Sequence, residues 1–324
     1  MAITISGSGI TSANIADGTI TTDDILASDV KNLKSGRKNL IINGGFNVSQ
    51  RGDYTTATTA ADNVYYLDRF KAVTNGASAT VQHINNTTYN SLKMTATSTA
   101  SGTLGAISFL EEFQKGKTLT ASVRMKSNNS NARVLIYDGV SFLATSSTHT
   151  GDGSEEIITA TGVVSTSATL LRVYTTISTA GVGAVSITSG DYIEIAEVQL
   201  EVGSVATDFE HRSYGEELAL CQRYYFQWSG SNISSTVGTG QFNSTTSFLH
   251  AYKNPVAMRV VPTGSYTGSV NVYQGSTGKG GGTITFNTHI AGGRLLFNGL
   301  TTSTLGGGGH VDISTAVLKF DAEL

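Results

Sequence analysis

Apolar and polar residues alternate along most of this chain in runs too short for helices. Between Asn39 and about Arg212 the runs include Ala79-Val81-His83, Leu92-Met94-Ala96, Leu119-Ala121-Val123-Met125, Val134-Ile136, Ile157-Thr159-Thr161, Leu171-Val173-Thr175 and Val185-Ile187. A period of two sends alternate side chains to opposite faces of a strand. Turn clusters at Asn75-Gly76, at Ser127 to Asn131 and at Gly151-Asp152-Gly153 separate the runs. Many short strands with little helix predict a jelly-roll β-sandwich over residues 38–212. The last alternation sets Ile195, Glu197, Gln199 and Glu201 against Ala196, Val198, Leu200 and Val202, and Gly203 breaks it.

The pattern then changes period. Ser213 stands three residues before Glu216, the spacing of a capping box, and Leu218, Cys221 and Tyr225 follow at helical spacing. Tyr224, Phe226 and Trp228 restart the alternation, so the connector helix is short. Residues 213–324 are expected to form a C-terminal small β-sandwich, or head. Its strands are predicted at 223–228, 242–250, 258–261, 270–273, 283–286, 295–297 and 317–320, with Gly278–Gly282 and Gly306–Gly309 as loop tips. The fold class is therefore all-β.

Residues 1–36 carry a different regularity: Ile5, Ile10, Ile15, Ile20, Ile25 and Val30 recur every fifth residue. Five is neither a helix nor a strand period, and a stack this short draws its core from neighbours. In competition, Thr22-Asp23-Asp24 is a helix start, Leu26, Val30 and Leu33 fall at i, i+4 and i+7, and Gly36 can end the helix. The favoured reading is an extended Met1 to Thr21 followed by a short helix, with the segment serving attachment and oligomerisation.

Composition narrows the function. Only 14% of residues are charged and the formal net charge is −3, which gives no electrostatic footprint for nucleic acid or an anionic membrane. The single cysteine, Cys221, forms no internal disulfide and reads as a small buried residue of the connector helix. No segment has the roughly 20 apolar residues of a membrane span, and Met1 to Ile10 is no signal peptide.

No arrangement in the chain points to catalysis, and the chain is expected not to be an enzyme. The carboxylate neighbours Asp23-Asp24, Glu111-Glu112, Glu155-Glu156 and Glu216-Glu217 point apart or cap turns. The phosphate-loop spacing at Gly275 and Gly280 fails, because Gly281 and Gly282 stand where Lys and Ser or Thr belong. The histidines show no metal-ligand spacing, so no metal or cofactor is expected. Aromatic residues remain. Tyr252, Tyr266 and Tyr273, near turns, are glycan-stacking candidates, and Trp228 is a further one for which core packing is the favoured reading.

Three passages resemble the phage tail-fibre and receptor-binding proteins, in which a carbohydrate-binding-module-like jelly roll precedes a C-terminal β head. Glu197 to Tyr225 is similar to their domain handover. Asn39-Leu40-Ile41-Ile42-Asn43-Gly44-Gly45-Phe46, with Gln50-Arg51-Gly52 and Asp68-Arg69-Phe70, looks like the jelly-roll opening. Pro255 to Thr263 and Asp321-Ala322-Glu323-Leu324 look like the head. The chain departs at Asp208, where the family pattern has proline. Tyr89 to Thr97 and Lys117 to Lys126 resemble the carbohydrate-binding-module kind of jelly roll. The resemblance implies a homotrimeric virion protein, present in host cytoplasm during assembly. Such a tail fibre is anchored to other virion proteins by its N-terminus, its head recognises a host surface glycan, and its jelly roll is mainly a spacer. Jelly rolls of this kind often carry a calcium ion, for which Asp191, Glu194 and Glu197 are the candidates, but these read first as ordinary strand-end charges. Alternatives are a capsid fibre or decoration protein, a glycan-degrading tailspike, and the carbohydrate-binding part of a secreted enzyme.

Overall fold

The computed structural model describes residues 37–229, 236–280, 282–313 and 316–323. The chain divides into two units, Met1–Lys38 and Asn39–Leu324. The isoleucine register and the helix expected before Gly36 lie outside the described residues.

In the second unit, thirteen strands come first: β1 (Thr58–Ala60), β2 (Phe70–Val73), β3 (Ala79–Asn85), β4 (Asn90–Ala96), β5 (Ala100–Gly102), β6 (Leu104–Leu110), β7 (Thr118–Ser127), β8 (Ala132–Tyr137), β9 (Phe142–Thr145), β10 (Glu155–Val163), β11 (Leu171–Ile177), β12 (Val185–Ile187) and β13 (Tyr192–Val202). They form a six-stranded sheet in the order β1-β3-β4-β13-β7-β10 and a five-stranded sheet in the order β2-β6-β11-β8-β9, with β5 and β12 as a small ribbon. Between the sheets lies one apolar core, built from Val81, Met94, Val123, Met125 and Ile193 on one side and Phe70, Leu104, Val134, Ile136 and Val173 on the other. This is a jelly-roll β-sandwich, and the predicted runs are its strands.

Two strands depart from simple alternation. In β13 the register against β7 shifts between Ala196 and Gln199, and Glu197 takes φ 50°. This bulge adds a residue, so Ile193 and Ile195 face the core before it and Val198 and Leu200 after it. Val202, expected on the apolar face, is 53% exposed. In β10 the inward residues are Ile158 and Ala160, while Ile157 is 57% exposed.

The bulge receives the chain's opening motif. Val198 N donates to Gly44 O and Leu40 N to Leu200 O. A Cβ on Gly44 would stand 2.0 Å from the Val198 carbonyl oxygen, so this close approach requires glycine. Asn43, at φ 61°, donates from its side chain to Val48 O and Asp68 O and accepts from Val48 N. Asparagine suits this position because its short amide tolerates the left-handed region and replaces missing backbone partners. The corner that carries Asp208 in place of proline is held by Gln199 Nε2, which donates to the carbonyl oxygens of Thr207 and Asp208.

The connector helix α1 (Tyr214–Gln222) starts where the capping box places it, with Ser213 Oγ accepting from Glu216 N. Cys221 is buried, and burial pushes its thiol well up, which suits a packing role. Glu217 is not the solvated group expected of its pair. It is buried, accepts from Asn43 N at 2.6 Å and meets Arg212 at 3.3 Å.

Ten strands follow: β14 (Tyr225–Ser229), β15 (Thr236–Ser244), β16 (Ser247–Lys253), β17 (Thr263–Thr267), β18 (Asn271–Gln274), β19 (Thr277–Gly278), β20 (Thr283–His289), β21 (Gly292–Asn298), β22 (Gly308–Asp312) and β23 (Val317–Asp321). A three-stranded sheet, β14-β23-β17, and a seven-stranded sheet, β19-β18-β22-β15-β16-β21-β20, share a second core of Phe226, Phe242, Phe248, Phe297, Leu318 and Phe320. The run 242–250 is a hairpin rather than one strand, because the chain turns at Thr245-Thr246 with Ser244 Oγ accepting from Thr246 N. The expected strand at 258–261 is a loop. Val260 and Val261 are exposed there, and Pro262 removes a ladder donor. Gly308 and Gly309, expected in a loop tip, lie in β22. A Cβ on Gly309 would stand 2.4 Å from the Tyr273 carbonyl oxygen and 2.9 Å from the Phe248 ring, so glycine here makes room for the neighbouring strand and for the ring.

The sequence motifs that carried the resemblance meet where the two cores adjoin. Arg69, held at φ 69°, pairs with Glu323 and lies 3.6 Å from the Tyr224 ring centroid. Arg51 reaches Glu323 at 3.2 Å and Asp68 at 3.4 Å, over the Tyr225 ring at 3.7 Å. Asp68 also accepts from Gln50 N and Nε2. Desolvation, opposed by Arg51, pushes the Asp68 carboxyl up to about 6. Arg259 donates to the carbonyl oxygens of Ala322 and Glu323. Ions removed from water this far need mutual pairing, so this joint is specified by charge as well as by packing.

Candidate functional site

The outward face of the five-stranded jelly-roll sheet carries large side chains where a solvated face would carry small polar ones. Register aligns them. Arg172 of β11 is the direct partner of Phe109 on β6 and of Tyr137 on β8, and Tyr174 partners Ile107 and Leu135. Lys71 of β2 also partners Ile107. Period two puts all of these on one face, and Ile107 and Leu135 are buried there although neither belongs to the sandwich core. An aromatic and cationic row crosses the sheet. Phe142 lies 4.8 Å from Tyr137 and 6.0 Å from Tyr174, and Phe109 has Arg172 and Lys71 each 4.8 Å from its centroid.

Above this row is a cleft of about 480 Å³, lined by Phe109, Phe113, Tyr174, Arg172, Lys71 and Asn63. That is within the size of ligand pockets, about 300–1,000 Å³. Asp62, also in the lining, accepts from Thr74 N and Asn63 Nδ2, so its carboxylate is engaged at the rim. Partial desolvation lowers the Lys71 ammonium, Glu323 acts against this, and Arg172 lowers it further.

These residues were not among the expected glycan contacts. Phe109, Arg172 and Tyr174 are far apart in sequence and meet only through strand register. The available signal was in the strands themselves, since β6, β8 and β11 carry large residues on both faces.

The head residues singled out from sequence are placed differently. Tyr252 is 8% exposed, its ring 5.3 Å from Trp228 and 5.0 Å from Phe320, and burial pushes its hydroxyl up to about 12. A ring enclosed in this way offers no face to a sugar. Trp228 is partly buried against Phe226, Phe320 and Tyr252. Its accessible part lines a groove of about 490 Å³ with Tyr214, Leu218 and Gln222. Tyr266 packs on Phe286, and Tyr273 stacks on His310 at 5.1 Å with the rings 8° from parallel. Trp228 and Tyr252 thus come together, while Tyr273 lies on a separate hairpin.

Asp191, Glu194 and Glu197 do not converge on a cation. Asp191 accepts from Asn129 Nδ2 and Thr188 N, Glu194 from Ser91 Oγ, and Glu197 from Arg124 Nε. Among the described residues the group with metal-ligand geometry is His149, Asp152 and Glu156. Each member is already engaged within one turn. His149 Nδ1 accepts from Gly151 N while Nε2 meets Ser154 O, Asp152 accepts from Ser154, and Glu156 accepts from Thr150. Hydrogen bonds from Ser154 hold Asp152 down to about 2.

No protein-family model matches the sequence, and no curated protein matches it either. Solved structures with a similar course of chain include the carbohydrate-binding module 22 and catalytic modules of Clostridium thermocellum endo-1,4-beta-D-xylanase 10B with xylohexaose. That match is 14% identical with TM-score 0.30, over 54% of this chain and 30% of the xylanase chain. A family 11 carbohydrate-binding module from Clostridium thermocellum, in complex with a mixed-linked tetrasaccharide, is 14% identical with TM-score 0.30, over 47% and 99% of the two chains. The tripod from the baseplate of bacteriophage Tuc2009 is 14% identical with TM-score 0.28, over 82% and 90%. Likeness at this level carries no argument about what this chain binds.

Proposed function

We propose that this chain is a non-enzymatic virion protein of the tail-fibre kind, and that it binds a host surface glycan in the cleft of its jelly roll. The observation that carries the binding reading is the cleft, where aromatic faces, a buried apolar floor and hydrogen-bonding groups share one sheet face. A sugar presents the complementary surface, an apolar ring face edged by hydroxyls. What supports the virion reading is the resemblance at Asn39–Phe46, Gln50–Gly52, Asp68–Phe70 and Asp321–Glu323, which are the motifs that build the joint. A capsid fibre with the same domains is the neighbouring alternative. A homotrimer anchored through residues 1–36 belongs to the same proposal, and several weak sites on one particle would add by avidity. Light scattering on the intact chain and on a chain without residues 1–36 tests this. The intact protein is expected at three times the chain mass, and a monomer at micromolar concentration refutes it.

A second reading has support from the groove beside Trp228, where Tyr214 is 60% exposed. Point variants of the full chain separate the two in affinity electrophoresis through immobilised bacterial surface polysaccharides. Phe109→Ala and Tyr174→Ala are each expected to weaken retention by about fivefold to tenfold, one ring being worth about 1 kcal/mol. Tyr214→Ala and Tyr273→Ala are expected to leave it unchanged. The opposite pattern moves the site to the groove or the head.

A further inference from the structure

Arg172 in the cleft is not paired as the cations of the opposite sheet are. On the outer face of the six-stranded sheet, Arg124 is engaged by Glu155 and Glu197, and Lys126 lies 3.4 Å from Glu155. That face is neutral by construction. In the cleft, Arg172 makes no ion pair among the described residues. Its one protein hydrogen bond is a long one, 3.5 Å from Nη1 to Tyr174 Oη, and its Nε is enclosed with no acceptor. Its guanidinium is held by the Phe109 ring, with the Lys71 ammonium against the same ring. The neighbouring carboxylate, Asp62, is engaged by Thr74 and Asn63. Two cations on one aromatic ring repel each other, and Arg172 is held at the centre of the cleft with no carboxylate against it among the described residues.

We infer that the cleft selects an anionic saccharide, a glycan whose carboxylate or phosphate accepts from the terminal nitrogens of Arg172 while a sugar ring lies along Phe109 and Tyr174. A planar guanidinium matches both anions, and in a partly desolvated cleft a charge-assisted hydrogen bond is roughly twice as strong as a neutral one. The inference rests on the cleft being the glycan site, and it adds the charge of the ligand.

The test is an array of bacterial glycans that includes neutral oligosaccharides, uronate-containing oligosaccharides and glycerol-phosphate oligomers. It is probed with the full chain and with Arg172→Gln, Arg172→Lys and Phe109→Ala. Binding is expected to be confined to the acidic glycans and to fall as salt rises. Arg172→Gln is expected to weaken it about tenfold, with Arg172→Lys keeping part of it. The uronate and phosphate arms identify which anion is taken. Signals on neutral glycans that survive Arg172→Gln and vanish in Phe109→Ala overturn the anionic inference and leave the cleft reading standing. Signals indifferent to Phe109→Ala, or none on the whole array, overturn both. Circular dichroism of each variant confirms that it is folded, and the lysine variant separates loss of charge from loss of packing.

Discussion

Replacing Glu323 by glutamine is expected to destabilise the chain by about 3 kcal/mol, because it strands the Arg69 guanidinium inside the joint. Arg69 is 1% exposed in its side chain and Glu323 is 5% exposed, so water cannot take the carboxylate's place. Glu323 serves Arg69 through one oxygen and Arg51 through the other. Asp68 remains beside Arg51 at 3.4 Å, but Arg69 would keep only Phe109 O and the Tyr224 face. Removing one member of a buried ion pair costs about 3–5 kcal/mol, whereas exchanging both for apolar side chains can cost little. Urea unfolding followed by the fluorescence of Trp228, the single tryptophan, measures the loss. The double variant Arg69→Met with Glu323→Met is expected to recover most of it. A loss below about 1 kcal/mol for Glu323→Gln would mean that the joint is wetter or less coupled than its geometry implies.

Phe320→Ala is expected to cost about 4 kcal/mol and to unfold the head before the jelly roll. Phe320 is fully buried in β23, the central strand of the three-stranded sheet. Its ring stacks on Phe226 at 4.5 Å, meets Trp228 at 5.1 Å and Tyr252 at 5.0 Å, and touches Phe286 at 5.7 Å. Truncation removes the transfer energy of a phenyl ring and leaves a cavity whose walls are themselves rigid rings, so the site cannot collapse to fill it. Trp228 lies in that wall, so its fluorescence is expected to report an early head transition while the far-ultraviolet dichroism of the jelly roll persists. A single coincident transition at the wild-type midpoint would contradict this.

How much could be read from the sequence depended on whether the signal was local. The jelly-roll strands were legible because their burial is one-sided and period two survives in residues such as Leu119, Ala121, Val123 and Met125. The helix start was legible because Ser213 and Glu216 interact across one turn. The bulge at Glu197 was not, since a single inserted residue changes the face of everything after it and leaves no mark in composition. Ile157 misled for a related reason: its neighbour Ile158 is equally apolar, and only the pairing with β7 decides which one turns inward. In the head, Gly308-Gly309 read as a loop because nothing local shows that Gly309 lies against Tyr273 O and the Phe242 and Phe248 rings across the sheet. The cleft was hidden for a stronger form of this reason. Phe109 and Arg172 become partners only through the β6–β11 register, which no local pattern in either strand records.

The joint also sets an order of events during synthesis. Arg51 and Arg69 wait for a carboxylate that lies 272 and 254 residues further along. At cellular translation rates of about 5–20 residues per second, that is a delay of roughly 10–50 s. The jelly-roll strands are complete long before then, so the domain can fold while Arg69 has no carboxylate and Arg51 has only Asp68. β14 and β17 share the delay, because both pair with β23 and neither has another neighbour in their sheet. The head therefore cannot close strand by strand as it emerges. Its sheet and the joint are made together, late, by the one segment that supplies both a central strand and the missing negative charge.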